Sequence, residues 1–165
     1  MGIQLPGEVR TFLNIIGFTF PAGDETKLLD LGQEWMDLAD KIERHVEQAK
    51  HTAEQVWNQN SSDMVEAFKK KWLGESGPAN RMGGGAIGST IVGAGVMVMA
   101  GIVLAMKINA IVQATLTLIE IAAALAAAAV TFGASTAIIP LLKEACKRLL
   151  DYLLGQAINK VLSGA

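Results

Sequence analysis

Two stretches of this chain carry no charged side chain: Met82 to Met106, 25 residues, and Ile121 to Leu142, 22 residues. Each is long enough to raise the question of a membrane span, for which about 20 apolar residues suffice. The rest of the chain is unlike them. Residues 1–81 hold nine bases and thirteen acids, while residues 82–165 hold five bases and three acids. The two halves must therefore meet water differently.

Composition narrows the function classes. A formal charge of −2 gives no overall electrostatic attraction to DNA, RNA or an acidic membrane, so no nucleic-acid partner is expected. The lone cysteine, Cys146, excludes a disulfide scaffold and a cysteine-based zinc cluster, and the two histidines, His45 and His51, leave little for metal chemistry. Met1 to Arg10 has neither a basic n-region nor a long apolar run, so no Sec-type signal peptide is expected there.

Periodicity predicts an all-α fold of long antiparallel helical hairpins forming a bundle. Pro6 sets the first turn of a short helix carrying Leu5, Val9, Phe12, Leu13 and Ile16, and Gly17 ends it. Phe18 and Phe20 should dock on the main bundle. Asp24 caps a long helix with a heptad seam at Leu28, Leu31, Trp35, Leu38, Ile42, His45, Ala49, Thr52 and Val56. Asp63 and Glu66 form a capping box for the next helix, whose apolar face is Met64, Val65, Phe68 and Trp72. The run Lys69 to Lys71 then complements that helix's dipole. Gly74 to Gly85 holds five glycines and Pro78 and reads as a flexible connection.

Beyond it, a small-residue helix from Ala86 through Val130 carries a ladder of Ser89, Gly93, Gly101, Ala105 and Asn109 suited to close helix approach. Asn109, Gln113, Thr117 and Glu120 extend it as a polar stripe. Gly133 supplies a C-cap and Ser135 or Thr136 an N-cap for a last, one-sided helix toward Leu162. The expected organisation is one domain, 1–165: a charged hairpin at 1–73, a connection at 74–85 and an apolar hairpin at 86–165.

No constellation supplies a nucleophile, an oriented base and an oxyanion donor together, so no catalytic residue, metal or cofactor is expected. The string Gly83 to Thr90, GGGAIGST, matches G-x-G-x-x-G literally, and it matches a P-loop except that Ser89 stands at the lysine position. It follows no strand and lacks the lysine charge, so it reads as a flexible start of a helix.

The opening MGIQLPGEVRTFLNIIGFTFPAGDETKLLDLGQEW, the later VWNQNSSDMVEAFKKKW, the solitary Lys107 and the TFGAST turn around Gly133 follow one another in a familiar order. Over nearly its whole length the chain resembles the amino-terminal module of actinobacterial polymorphic toxins and of mycobacterial channel-and-toxin proteins, a branch of the WXG-motif superfamily. The resemblance implies a helical, non-enzymatic module, made in the cytoplasm and exported by a type VII secretion system or held at the cell envelope. It also implies a small WXG-like helical partner and a separate carboxyl-terminal toxin domain, so that this chain is the leader of a longer protein. A literal W-x-G occurs at Trp72, Leu73 and Gly74, whereas helix-turn-helix logic places the turn after Trp57, where Asn60 stands for glycine. The family's secretion tag, a tyrosine with an acid four residues on, has no counterpart, because Gln156 follows Tyr152.

The leading reading is a targeting and adaptor module whose partner and secretion contacts are Trp57, Phe68, Trp72 and Gly74. The alternative is a membrane-inserting or pore-forming protein that uses the apolar hairpin 86–142.

Overall fold

The computed structural model describes residues 2–163. It is all-α, with no strand among the described residues. Five helices follow in order: α1 (Gly7–Ile15), α2 (Glu25–Gln59), α3 (Asp63–Leu73), α4 (Pro78–Ala128) and, after a 3₁₀ turn (Ala134–Ile138), α5 (Ile139–Ser163). The residues group into two compact units, one formed by the chain up to Lys27 with Val98 onward, the other by Leu28–Met97.

The first unit is built on α1. Pro6, at φ −55°, precedes its first turn, and Gly17 ends it at φ +71°. There the Phe18 amide donates to Leu13 O at 2.9 Å and the Gly17 amide to Asn14 O at 3.1 Å, the paired bonds of a Schellman motif. A left-handed residue is required at that point, which is why glycine stands there. The motif turns Phe18 back onto Leu13. Val9, Phe12, Leu13, Ile16 and Phe18 are all buried against Met106, Ala110 and Ala114 of α4 and Cys146 and Leu150 of α5, with Phe20 packed alongside. α4 and α5 run antiparallel here, since residues 98–109 share a groove with residues 153–160 and the Ser135 hydroxyl reaches Ala124 O.

The second unit packs the rest of α2 against the start of α4. The expected seam is only half right. Trp35, Ile42 and Ala49 are partly buried, but the fully buried column is Gly32, Ala39, Val46 and Ala53, and Leu31, Leu38, His45 and Thr52 are exposed. The reason is size. α4 presents Ala79, Ala86, Ser89 and Gly93, and small residues on both helices allow a closer approach than a leucine column permits. The closest point lies at Gly32 and Gly93: a Cβ on Gly93 would sit 2.9 Å from Gly32 O, and one on Gly32 would sit 3.0 Å from Gly93 O. Gly93 therefore plays the role expected of the small-residue ladder, whereas Gly101 faces open space.

Other boundaries also move. The connection expected at 74–85 is shorter, because α4 already starts at Pro78, a residue whose fixed φ suits a first turn. Gly77 makes the turn: a Cβ there would collide with the carbonyl oxygens of Trp72, Gly74 and Lys71. Asp24 caps α2 as expected, accepting from the Thr26 and Lys27 amides at 3.1 and 3.2 Å. The cap of α3 is Ser62 rather than Asp63, its hydroxyl accepting from the Val65 amide at 3.2 Å. Thr117, expected on a solvated polar stripe, is buried with its hydroxyl donating to Gln113 O at 3.0 Å. Ser135 and Thr136 lie in the 3₁₀ turn and do not cap α5 directly.

Candidate functional site

The turn from α2 into α3 folds the chain back on itself, and the helical spacing of Phe68 and Trp72 then places both rings toward the end of α2. Trp57 and Phe68 approach to 6.0 Å between ring centroids at 47°, and Phe68 and Trp72 to 5.7 Å at 37°. Such tilted pairs each contribute about 0.5–1.5 kcal/mol beyond the area they bury. Lys69 Nζ lies 5.7 Å from the Trp57 ring centroid, within cation–π range. The three aromatic residues singled out from sequence thus form one cluster.

The cluster is not a closed core. Phe68 is exposed, Trp57 and Trp72 are half-buried, and Met64 and Leu73 on the same short helix are exposed. The Trp72 indole N–H is itself buried, with no acceptor among the described residues. Gly74, two residues on, holds an extended conformation with its carbonyl accepting from the Gly77 amide at 2.7 Å and from Asn80 Nδ2 at 3.1 Å. The literal Trp72–Gly74 motif therefore sits at the α3–α4 turn, and Trp57 precedes the α2–α3 turn. Trp57 and Trp72 each lie at the end of a helix.

A second feature lies on α2. Because Gly32, Ala39, Val46 and Ala53 face α4, the neighbouring column of the sequence seam is left uncovered, with Leu31 42% and Leu38 40% exposed. The sequence shows this column only as one half of a single heptad seam. Beside it, the outer carboxylates Glu34, Asp37, Glu43 and Glu47 are solvated.

One polar feature was not visible in the sequence. Lys107 of α4 is buried, and its Nζ donates to Glu25 Oε2 at 2.6 Å; the other Glu25 oxygen accepts from the Ile3 amide. The Lys107 ammonium and the Ile3 amide hold the Glu25 carboxyl down at about 2. Lys107 Nζ also lies 5.9 Å from the Phe20 ring centroid. No pattern in the sequence links two residues 82 positions apart.

The Gly83–Thr90 string is wholly helical within α4, so it forms no loop that could wrap a phosphate. Among the described residues, no three His, Cys, Asp or Glu side chains gather where a metal could be held. A family model described as a WXG100-like domain matches residues 4–144. No curated protein and no solved structure matches the chain.

Proposed function

The chain belongs to the WXG100-like domain family, a type VII secretion-related family of helical proteins, and from that premise we propose that it is a non-enzymatic targeting and adaptor domain of a secreted polymorphic toxin. In this reading a small WXG-like helical partner lies along α2, over Leu31 and Leu38, and its end meets Trp57, Phe68 and Trp72. The observation that carries the reading is the uncovered half of the α2 seam: Leu31 and Leu38, one heptad apart, are 42% and 40% exposed, with His45 and Thr52 continuing the column. The toxic activity belongs to a carboxyl-terminal domain outside these residues. The complex is made in the cytoplasm and exported through the type VII machinery.

The test is coexpression with the small helical proteins encoded beside it, followed by affinity capture and a secretion assay. Leu31→Asp with Leu38→Asp places two charges on the exposed column, and circular dichroism and melting temperature, measured beside capture, show that the fold is kept. Loss of capture and of export together supports the adaptor role. Unchanged capture by the double variant rejects it.

A second reading, membrane insertion of the apolar hairpin 86–142, is supported by α4. The segment Asp63–Ala128, of which α4 is the greater part, contains a stretch long and apolar enough to cross a bilayer, and only 28% of that 18-residue window is buried. Release of dye from sealed vesicles tests it.

A further inference from the structure

A cavity of about 730 Å³ opens in the first unit between the amino-terminal arm, α1 and the loop that joins α1 to α2. That volume lies within the range of small-molecule sites, about 300–1,000 Å³. The wall combines apolar Leu13, Phe18 and Phe20 with Arg10, Asn14 and Lys107. Arg10 and Asn14 stand four residues apart on α1 and so share one face of it. Lys107 reaches the wall from α4 and is only 4% exposed.

Donors and acceptors around this cavity are unbalanced. The nearby carboxylates are engaged: Glu25 Oε2 accepts from Lys107 Nζ, Glu25 Oε1 from the Ile3 amide, and Asp24 Oδ1 from the Thr26 and Lys27 amides. The donors are not. An ammonium carries three N–H groups, and among the described residues Lys107 spends one of them, on Glu25. Among the same residues, the Arg10 guanidinium makes no ion pair, and the amides of Thr19, Phe20, Ala22 and Gly23 meet no backbone acceptor. Water serves Arg10 and Asn14, which are exposed. Lys107 is buried, so its remaining N–H groups depend on what enters the cavity.

We propose that this cavity binds a monocarboxylate with an apolar body, the carboxylate taken by Arg10, Asn14 and Lys107 and the body lying against Phe20. An arginine fork matches a carboxylate with two parallel hydrogen bonds. Arg10 and Lys107 against Asp24 leave the wall one positive charge, which suits a single negative charge. A dianion such as phosphate meets more repulsion from Asp24 and from Glu25. A free organic acid and the carboxyl-terminal end of a peptide share this chemistry. The site uses no residue of the α2 column and is independent of the adaptor reading.

The experiment is calorimetric titration of the purified chain at low salt with 3-phenylpropanoate, its uncharged amide, inorganic phosphate, and an acetylated Gly-Gly-Phe peptide as free acid and as amide. The expected result is that at least one of the two free acids binds, about tenfold or more tighter than its own amide and than phosphate. Arg10→Gln should weaken that binding about tenfold and Asn14→Ala about threefold, with circular dichroism and melting temperature unchanged. If Arg10→Gln shifts the melting temperature, Asn14→Ala decides. Arg148→Gln, which removes an exposed cation paired with Glu144, should change nothing. Tighter binding of the organic acid or of the peptide acid names the source, and either supports the proposal. The proposal is overturned if neither acid binds, if acid and amide bind alike, if phosphate binds equally well, or if the α1 variants lose no more than Arg148→Gln.

Discussion

Lys107 Nζ lies 2.6 Å from Glu25 Oε2, and the two side chains are 5% and 9% exposed. Lys107 is the one charge on α4 between Arg81 and Glu120, set in an otherwise apolar surface. Its partner sits in the first turn of α2, and the same carboxylate holds the backbone of Ile3. One ion pair thus ties the amino-terminal arm, α2 and α4 together within the first unit. Removing one member strands the other in a poorly hydrated site, so Lys107→Met is expected to lower unfolding free energy by about 3–5 kcal/mol. Lys107→Met with Glu25→Leu should recover most of that loss, because no unpaired charge remains. Urea denaturation of the two variants beside the wild type checks both statements.

The pair also sets an acid response. Glu25 titrates at about 2 in the folded chain, held there first by the Lys107 side chain, against 4.5 for a free glutamate. A carboxyl whose folded value is depressed adds stability that is complete above its unfolded value and is lost as pH falls through the window between them. Stability should therefore decline from pH 4.5 toward pH 2. Asp24, drawn down chiefly by the Lys27 amide, acts in the same direction. Glu25→Gln is expected to flatten the decline, and Glu25→Gln with Asp24→Asn to flatten it further. Melting temperatures across that range measure the slope.

The contrast between these features and the helices shows what a sequence exposes. Pro6, Gly17 and Asp24 act through bonds to residues within a turn or two, so the helix ends they set were legible. The α2 seam was legible as a period, but its facing was decided by Gly93 on another helix. Small residues at Gly32 and Ala39 carry little weight in a hydrophobic pattern, and the leucines beside them carry a great deal. The Trp57, Phe68 and Trp72 cluster was legible because one short turn brings the three together. The Glu25 and Lys107 pair was not, since it depends on tertiary packing of distant segments, and neither was the cost stored at Phe132.

The helix contact at Gly32 and Gly93 makes a paired prediction. Alanine is favoured over glycine within a helix by about 1 kcal/mol, and Gly95 has open space where a Cβ would go. Gly95→Ala should therefore stabilise the chain by up to about 1 kcal/mol. Gly93→Ala gains the same helix preference, but its Cβ would lie 2.9 Å from the backbone oxygen of Gly32 and 3.1 Å from the Met36 side chain. A backbone atom cannot give way alone, so a net loss of about 1–3 kcal/mol is expected. Chemical denaturation of the two variants should move the midpoint in opposite directions.

Trp72 separates folding from partner contact. Trp72→Ala removes the ring that stacks on Phe68 and, at a packed interface, should reduce partner affinity by about 2 kcal/mol or more, roughly thirtyfold. Trp72→Phe keeps an aromatic ring in place and eliminates the buried indole N–H that has no acceptor. Its stability should equal or exceed that of the wild type by up to about 1 kcal/mol. Melting temperature, partner affinity and export are measured together. If Trp72→Ala stays folded, binds normally and is exported normally, Trp72 has no adaptor role.

Phe132 provides the last prediction, because its backbone and its side chain pull in opposite directions. At φ +48° a phenylalanine is strained by about 1–2 kcal/mol, and complete exposure of the ring leaves no packing energy to offset it. Asparagine tolerates the left-handed region better than other residues with a side chain. Phe132→Asn should therefore raise the melting temperature, by an amount corresponding to about 1 kcal/mol. Phe132→Leu keeps the strain, so it should leave the melting temperature near its wild-type value. A stability loss in Phe132→Asn would mean that the ring is packed in solution.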